Sequence, residues 1–199
     1  MGRGKAKGSD YERWFCTELS FWWSGGKRDD IFWRSSSSGG RATVREKRHR
    51  KTSQQYGDVA AIDPSGYLLT DLVTIELKRG YSTNTILDVF DKIKQNSVHL
   101  WEDFFSQAIK SHEDAGSFAW MLVTKRDRRE AMIWMPDYLF HNLHELGAFN
   151  PLPSPRVDFH AIIRPDWGDR RTICVWGTTL QAFFRSTMRE HFKKLSLIA

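Results

Sequence analysis

Apolar residues near the N-terminus follow the spacing of an amphipathic helix. Between Tyr11 and Trp22 they recur mostly at intervals of three or four positions. Ser9 to Glu12 fits a capping box, which predicts that the helix begins at Ser9 and that Glu12 caps its first turn. Residues 1–8 mix glycine with three basic residues, so we expect a mobile basic arm that does not pack.

Strict alternation of apolar and polar residues predicts a strand from Val73 to Lys78. Side chains of a strand point alternately to its two faces, so Thr74, Glu76 and Lys78 share one face. The apolar residues on the other face are expected to anchor this strand in the core. Two charged side chains therefore stand on a strand that is predicted to be central.

The remaining pattern predicts further helices and strands around this one. Residues 57–62 read as a strand, Asp63 to Gly66 as a type I turn, and Tyr67 as the start of the returning strand of a hairpin. The other predicted elements are strands at 31–34, 118–124, 130–135, 157–163 and 172–176, and helices at 86–112, 137–146 and 178–194. This order predicts an α/β or α+β fold with helices flanking a central mixed sheet. We expect a core over residues 9–149 and a strand and helix extension, 150–199, packed on it.

Composition places the chain among folded proteins outside the membrane. Its 199 residues are 40% hydrophobic and 27% charged, near the averages of globular domains. No apolar run approaches the length of a membrane span, and the basic start lacks the apolar core of a signal peptide. With only Cys16 and Cys174, neither a disulfide framework nor a zinc site is expected. These features predict a cytoplasmic protein with reduced thiols and no membrane partner.

Candidate chemistry lies where the predicted strands converge. Asp58 opens one strand of the hairpin, and Glu76 with Lys78 stands on the other. Buried charges are costly unless compensated, and Mg²⁺ prefers hard oxygen ligands such as carboxylates. Asp58, Glu76 and the Leu77 carbonyl could therefore hold a divalent cation, with Lys78 beside a water that the cation activates. Individually, Asp58 could be a plain strand-start residue, and Glu76 and Lys78 an exposed ion pair of small value.

These residues also carry a resemblance to a known family. Gly57-Asp58 followed by Glu76-Leu77-Lys78 resembles the Asp…Glu-x-Lys signature of the PD-(D/E)xK nuclease superfamily. The first helix with Glu12, the strand at 31–34 and a Ser/Gly loop before the signature are similar to archaeal-type Holliday-junction resolvases and their phage-encoded relatives. The similarity covers about the first half of the chain. The spacing from Asp58 to Glu76 is longer than in compact resolvases, which indicates an extension within the hairpin.

The resemblance implies a restriction-endonuclease-like core and a DNA endonuclease that uses Mg²⁺ or Mn²⁺. It implies in-line attack of an activated water that leaves a 5′-phosphate, in DNA recombination or repair. It adds Gln107 to the site, and it places a basic turn with Lys125 and Arg126 after the following strand. Glu12 becomes either a site residue or only a helix cap. A homodimer would suit symmetric cleavage of a four-way junction.

The net charge of +6 is concentrated in one segment. Beside a phosphodiester site, this segment is expected to bind the DNA backbone, although such a run is also typical of a solvated loop. Its basic residues are Arg41, Arg45, Lys47, Arg48, Arg50 and Lys51. Ser36, Ser37 and Ser38 precede it, either as a plain linker or as a loop whose hydroxyls and amides meet phosphate.

Other functions stay open at this point. A restriction- or repair-type nuclease of the same superfamily would cut duplex or flap DNA, and an RNA nuclease would use the same chemistry. An idle DNA-binding protein could keep the fold, although it would have no reason to retain buried charges. His141 and His144 superficially suggest an HNH-type site, but no carboxylate or cysteine accompanies them at ligand spacing.

Overall fold

A computed structural model describes residues 3–35, 56–80, 84–91, 99–164 and 170–199. Within these ranges the chain forms six α-helices, seven strands and two 3₁₀ turns. The helices are α1 (Arg3–Ser24), α2 (Tyr67–Leu72), α3 (Leu100–Ala115), α4 (Asp137–Glu145), α5 (Leu180–Ser186) and α6 (Arg189–Leu195). The strands are β1 (Phe32–Arg34), β2 (Val59–Ala61), β3 (Val73–Arg79), β4 (Ala119–Lys125), β5 (Ala131–Pro136), β6 (Arg156–Ile163) and β7 (Arg171–Thr179), and the 3₁₀ turns are Pro64–Gly66 and Ile86–Val89.

Five strands form one mixed sheet in the order β3-β4-β5-β7-β6. Only β3 and β4 are parallel, and the other neighbours are antiparallel. Apolar residues of α1 and of α4 to α6 pack with one face of the sheet, while those of α3 pack with the other. A two-stranded sheet of β1 and β2 lies beside β3, where Asp58 N–H donates to the Ile75 carbonyl. The predicted α+β fold with a central mixed sheet is confirmed.

The last fifty residues take part in the main sheet. Strand β7 pairs with β5 and β6 pairs with β7, so both strands continue the sheet that carries Glu76. Trp176, Phe183 and Phe192 from this part are almost fully buried in the core on the α1 side. The helix predicted over residues 178–194 is two helices, because β7 runs to Thr179 and extended residues at Thr187 and Met188 separate α5 from α6.

The first helix begins earlier than predicted. α1 starts at Arg3, so residues 3–8 belong to the helix and Ser9 lies inside it. A capping box needs its serine at the non-helical residue before the first turn. The capping interpretation of Ser9 and Glu12 is therefore wrong, and Glu12 needs another explanation.

The predicted hairpin between β2 and β3 is also wrong. β2 pairs with β1, and the chain from Pro64 to Leu72 is helical. The Asp63 carboxylate accepts from the Ser65 N–H at 2.9 Å and thereby caps this turn. Gly66 lies where a Cβ would approach Ile31 and Phe32 at 2.8 Å, so the helical turn packs tightly on β1. The expected extension between Asp58 and Glu76 is this helical segment.

The helix predicted over residues 86–112 is only partly helical in the described ranges. A 3₁₀ turn covers Ile86–Val89, and the α-helix α3 begins at Leu100. Ala115-Gly116 in the sequence predicts the end of this helix, and the structure confirms it, since Gly116 ends α3 in the left-handed conformation with φ 65°. Across the ranges that the structure describes, no helix combines the length and the apolar character needed to cross a membrane.

Candidate active site

Asp58 joins the small sheet to the main sheet. Its N–H donates to the Ile75 carbonyl at 2.8 Å, and its own carbonyl accepts from the Ser35 N–H at 2.9 Å. Its carboxylate oxygen Oδ2 accepts from the Leu77 N–H at 2.8 Å. Main-chain bonds thus place the Asp58 carboxylate directly beside the strand that carries Glu76.

Gly57 allows this close approach. Its φ is +74°, and a Cβ at this position would lie 2.7 Å from the Ile75 carbonyl oxygen and 2.9 Å from Thr74 Cγ2. Both the conformation and the space require glycine. The Ser35 hydroxyl donates to the Gly57 carbonyl at 2.6 Å, which ties the segment to the end of β1.

Glu76 is a buried carboxylate that contacts a hydroxyl on one side and an ammonium on the other. Only 8% of the residue is exposed. The Ser111 hydroxyl of α3 donates to Oε1 at 2.6 Å, and Lys78 Nζ lies 3.4 Å from Oε2. Burial raises the pKa of Glu76 to about 7, and the negative charge of Asp58 adds to that rise, while Lys78 and Ser111 oppose it. The second carboxylate of the site therefore carries its charge at a cost that a cation would offset.

Lys78 is held by the helix across from it. Its ammonium Nζ donates to Gln107 Oε1 at 2.6 Å, and Gln107 Nε2 donates to Asp103 Oδ2 at 2.6 Å. The ammonium also lies 5.9 Å from the centre of the Phe104 ring. The structure thus places the Gln107 side chain against the Lys78 ammonium.

Glu12 on α1 forms an ion pair with a residue of β1. Its Oε2 forms an ion pair with Arg34 Nε at 3.1 Å, linking α1 to β1 immediately before Ser35. Burial raises the pKa of the Cys16 thiol to about 12, and the negative charges of Glu12 and Asp58 raise it further. Both carboxylates therefore lie close enough to Cys16 to influence it. Glu12 does not join a three-ligand cluster, because no three acidic, histidine or cysteine side chains in the described ranges gather closely enough to hold a metal ion.

The donor set fits a hard divalent cation. Asp58, the residue before β2, and Glu76 on β3 supply carboxylates whose mutual repulsion is the type that a cation relieves. The N–H and C=O groups of one strand residue point to the same edge of the strand. Since the Leu77 N–H meets Asp58, the Leu77 carbonyl lies on the Asp58 side as well. Two carboxylates and one carbonyl would leave the other coordination positions of the cation to water and to a substrate phosphate.

Basic residues lie at the end of the sheet where the parallel strands β3 and β4 finish. Lys125 is paired in register with Arg79, and its carbonyl accepts from the Gly80 N–H at 3.0 Å. Arg126 follows and begins the turn to β5, and Lys125 Nζ donates to the Arg129 carbonyl within that turn. Because β3 and β4 are parallel, this turn and Lys78 lie towards the same end of the sheet. The other residues predicted to bind DNA lie outside the described residues: Ser36, Ser37, Ser38, Arg41, Arg45, Lys47, Arg48, Arg50 and Lys51.

Ser111 and Asp103 are residues of the site that the sequence pattern did not single out. Both are four residues from Gln107 on α3, so the three side chains share one helix face. This spacing was the available signal, because any residue four positions from an assigned site residue on a helix faces the same way. The histidines considered for an HNH-type site have local partners: His141 pairs with Asp137 at 3.2 Å, and His144 contacts the Ala148 carbonyl.

Comparison with family models decides the superfamily. Residues 3–194 match the model of a family described as phage putative PDDEXK endonuclease. The chain belongs to this family. The predicted membership of the PD-(D/E)xK superfamily is confirmed, and the match also spans the tail, which the resolvase resemblance did not reach. Searches among curated proteins and among solved structures find no match.

Membership of this family indicates the class of reaction. The family description is that of an endonuclease, a nuclease that would act on DNA, and PD-(D/E)xK nucleases generally use divalent metal ions. The mixed sheet with helices on both faces is consistent with a restriction-endonuclease-like core.

Proposed function

We propose that this protein is a metal-dependent DNA endonuclease whose site is formed by Asp58, Glu76 and Lys78. The observation that carries the proposal is the contact between Asp58, just before β2, and the backbone of β3. There the carboxylate of Asp58 is bonded to the backbone of the strand that holds Glu76, and Lys78 Nζ lies 3.4 Å from Glu76. The sequence predicts a central strand for these charges, but β3 is the edge strand of the main sheet and is buried there beside the small sheet. A largely buried group of two carboxylates and one ammonium is costly to keep without a chemical use.

Asp58, Glu76 and the Leu77 carbonyl would hold Mg²⁺ or Mn²⁺. When bound, such an ion supplies positive charge at the phosphate and lowers the pKa of a water molecule. The two carboxylates are held by different means, Asp58 by the Leu77 N–H and Glu76 by Ser111. The ligand oxygens are therefore oriented before any ion binds.

Lys78 acts on the nucleophile and on the phosphate. Its ammonium is a compact donor with three hydrogens, of which Gln107 Oε1 accepts one and Glu76 Oε2 a second at 3.4 Å. The third hydrogen can orient an attacking water in line with the scissile bond, and the positive charge can stabilise charge that develops on the phosphate oxygens. The product would carry a 5′-phosphate.

The surrounding basic residues would bind the DNA backbone. Lys125 and Arg126 lie at the same end of the sheet as Lys78. In the sequence, the segment from Arg41 to Lys51, together with Ser36, Ser37 and Ser38, follows Ser35, whose N–H donates to the Asp58 carbonyl. Contacts to phosphate position the substrate without reading its sequence. We further propose branched DNA as the substrate and a homodimer as the active form, in recombination or repair, on the resolvase resemblance of the first half.

Cleavage assays on a labelled panel test this function. Four-way junction, flap, duplex and single-stranded DNA, and RNA, are incubated with Mg²⁺, Mn²⁺ or EDTA. We expect metal-dependent cleavage of DNA, with the junction cut fastest. Asp58→Asn and Glu76→Gln should abolish cleavage while DNA binding is kept, because the basic surface is intact, and Lys78→Ala should lower turnover with metal binding retained.

Asp137→Asn is the matched control, since Asp137 is a partly exposed carboxylate on α4 that pairs with His141. It should cut like the wild type. Full cleavage by Asp58→Asn would contradict the site, and preferential cutting of plain duplex would favour a restriction- or repair-type enzyme. Binding without cleavage under any metal would favour an idle DNA-binding protein.

A further inference from the structure

Side chains on one face of α3 form hydrogen bonds that lead to Glu76 and Lys78 of β3. Asp103, Gln107 and Ser111 are spaced by four positions and therefore line one side of the helix. Ser111 donates to Glu76, and Gln107 accepts from Lys78 while donating to Asp103, each at 2.6 Å. No part of the Asp…Glu-x-Lys signature includes Asp103 or Ser111.

Ser111 fixes the orientation of the Glu76 carboxylate. Its hydroxyl holds Oε1, which leaves Oε2 as the oxygen near Lys78. Glu76 is almost fully buried, and Asp58 nearby repels its charge. Without the hydroxyl, the carboxylate would lose the short hydrogen bond that holds it in this rotamer. A ligand that is free to turn binds an ion more weakly.

Asp103 fixes the orientation of the Gln107 amide. A carboxylate only accepts hydrogen bonds, and an ammonium only donates them. An amide between Asp103 and Lys78 therefore has one satisfactory orientation, with its NH₂ towards Asp103 and its oxygen towards Lys78. Removing the Asp103 carboxylate would free the amide to turn its donor towards another donor, which would displace the Lys78 ammonium.

We propose that Ser111 and Asp103 are positioning residues with separate effects. Ser111 sets the affinity of the site for its divalent ion through Glu76, and Asp103 sets turnover through Gln107 and Lys78. The inference rests on the proposed function. Beyond that function, it assigns Ser111 to the affinity for the ion and Asp103 to the rate of cleavage.

Calorimetric titration with Mn²⁺ tests Ser111. Ser111→Ala should weaken Mn²⁺ binding about 10- to 100-fold, the usual effect of losing a group that orients a metal ligand. Cleavage at saturating Mn²⁺ should fall much less. Ser111→Thr keeps the hydroxyl and should restore binding. Ser106→Ala is the matched control, because Ser106 is a buried serine of α3 whose hydroxyl makes no hydrogen bond in the described structure.

Single-turnover cleavage tests Asp103. Asp103→Ala should lower the rate about tenfold at saturating Mn²⁺, with Mn²⁺ affinity unchanged. Asp103→Asn keeps an acceptor oxygen and should retain most of the rate. Asp114→Ala removes a carboxylate from the same helix that pairs with Lys110 at 2.8 Å, and it should cut like the wild type.

The outcomes separate this inference from the function on which it rests. A wild-type protein that neither binds Mn²⁺ nor cuts DNA overturns both. Wild-type activity together with unchanged Mn²⁺ affinity in Ser111→Ala, or unchanged turnover in Asp103→Ala, overturns the inference alone. Melting temperatures check folding, and Ser111→Cys, with a weaker donor of similar size, replaces the alanine variant if that variant does not fold.

Discussion

A single glycine is as important for the geometry of the site as its charged residues. Gly57 precedes Asp58 and lets the chain pass within van der Waals contact of β3, where the Asp58 carboxylate reaches the Leu77 N–H. A larger residue would push β2 and β3 apart at the point where both carboxylates meet. The glycine of the signature therefore acts on ligand spacing, although it contributes no ligand.

Gly57→Ala is expected to destabilise the protein by about 3 kcal/mol, from the left-handed conformation and from the clash with Ile75. Gly116→Ala is the control, since Gly116 has φ +65° but no atom within 4 Å of an added Cβ. It should cost only about 1 kcal/mol. Urea unfolding measures both variants, and equal costs would contradict the tight contact at Gly57.

The raised pKa of Glu76 predicts how stability of the metal-free protein depends on pH. In the unfolded chain Glu76 loses its proton near pH 4.5, whereas in the folded protein it keeps it to about pH 7. Between these values the folded state binds more protons, so the contribution of Glu76 to stability falls as pH rises. Unfolding free energies in EDTA should drop less between pH 5 and pH 8 in Glu76→Gln than in the wild type. An identical drop in both proteins would mean that Glu76 titrates normally.

The strands and helices after residue 150 are part of the main body of the fold. β7 forms the hydrogen bonds that complete β5, and Trp176 on it stacks on Phe140 of α4 with ring centres 4.4 Å apart. The family match extends to residue 194 and thus includes this part. If residues 9–149 folded alone, the backbone groups of β5 that pair with β7 and the apolar surface that packs on Trp176 would be exposed to solvent.

Trp176→Ala should cost about 4 kcal/mol, because it removes a fully buried aromatic side chain. Trp14→Ala on α1 is the control, since Trp14 is 42% exposed and should cost less than half as much. Chemical denaturation followed by circular dichroism should show one cooperative transition for the wild type. Two transitions, or a small effect of Trp176→Ala, would indicate a tail that folds independently of the core.

At the scale of the whole molecule, described basic residues lie at the same end of the sheet as Lys78. The site lies at the open side of β3, next to the small sheet, and the basic residues of the β4–β5 turn stand at the same end of the sheet. The net charge of +6 is modest, so its effect on DNA depends on where it is concentrated. The segment from Arg41 to Lys51 holds six of the basic residues.

Replacing Arg45, Lys47, Arg48 and Arg50 by glutamine should weaken binding to all DNA sequences alike. The slope of log affinity against log salt should become less steep by about 0.9 for each phosphate that these side chains no longer neutralise. Fluorescence anisotropy at several salt concentrations measures this slope. Glutamine at Lys193 and Lys194 of α6 is the control and should leave it unchanged, whereas an unchanged slope in the first variant would show that the segment is a solvated loop.

Local sequence was sufficient to predict β3 and the charged residues on it. The two-residue period from Val73 to Lys78 depends only on neighbouring positions, and Glu76 and Lys78 of the signature both lie within that strand. The stop of α3 at Gly116 was equally local. The superfamily and the α+β class followed from such short patterns and from their order along the chain.

Tertiary structure decided which segments meet. β2 pairs with β1 instead of β3, the tail completes the main sheet, and Glu12 pairs with Arg34 instead of capping its helix. These contacts join residues far apart in sequence, and their free energy depends on burial and hydrogen bonding that a local pattern does not encode. Ser111 reached Glu76 for the same reason, because the packing of α3 on β3 sets which helix face meets the site.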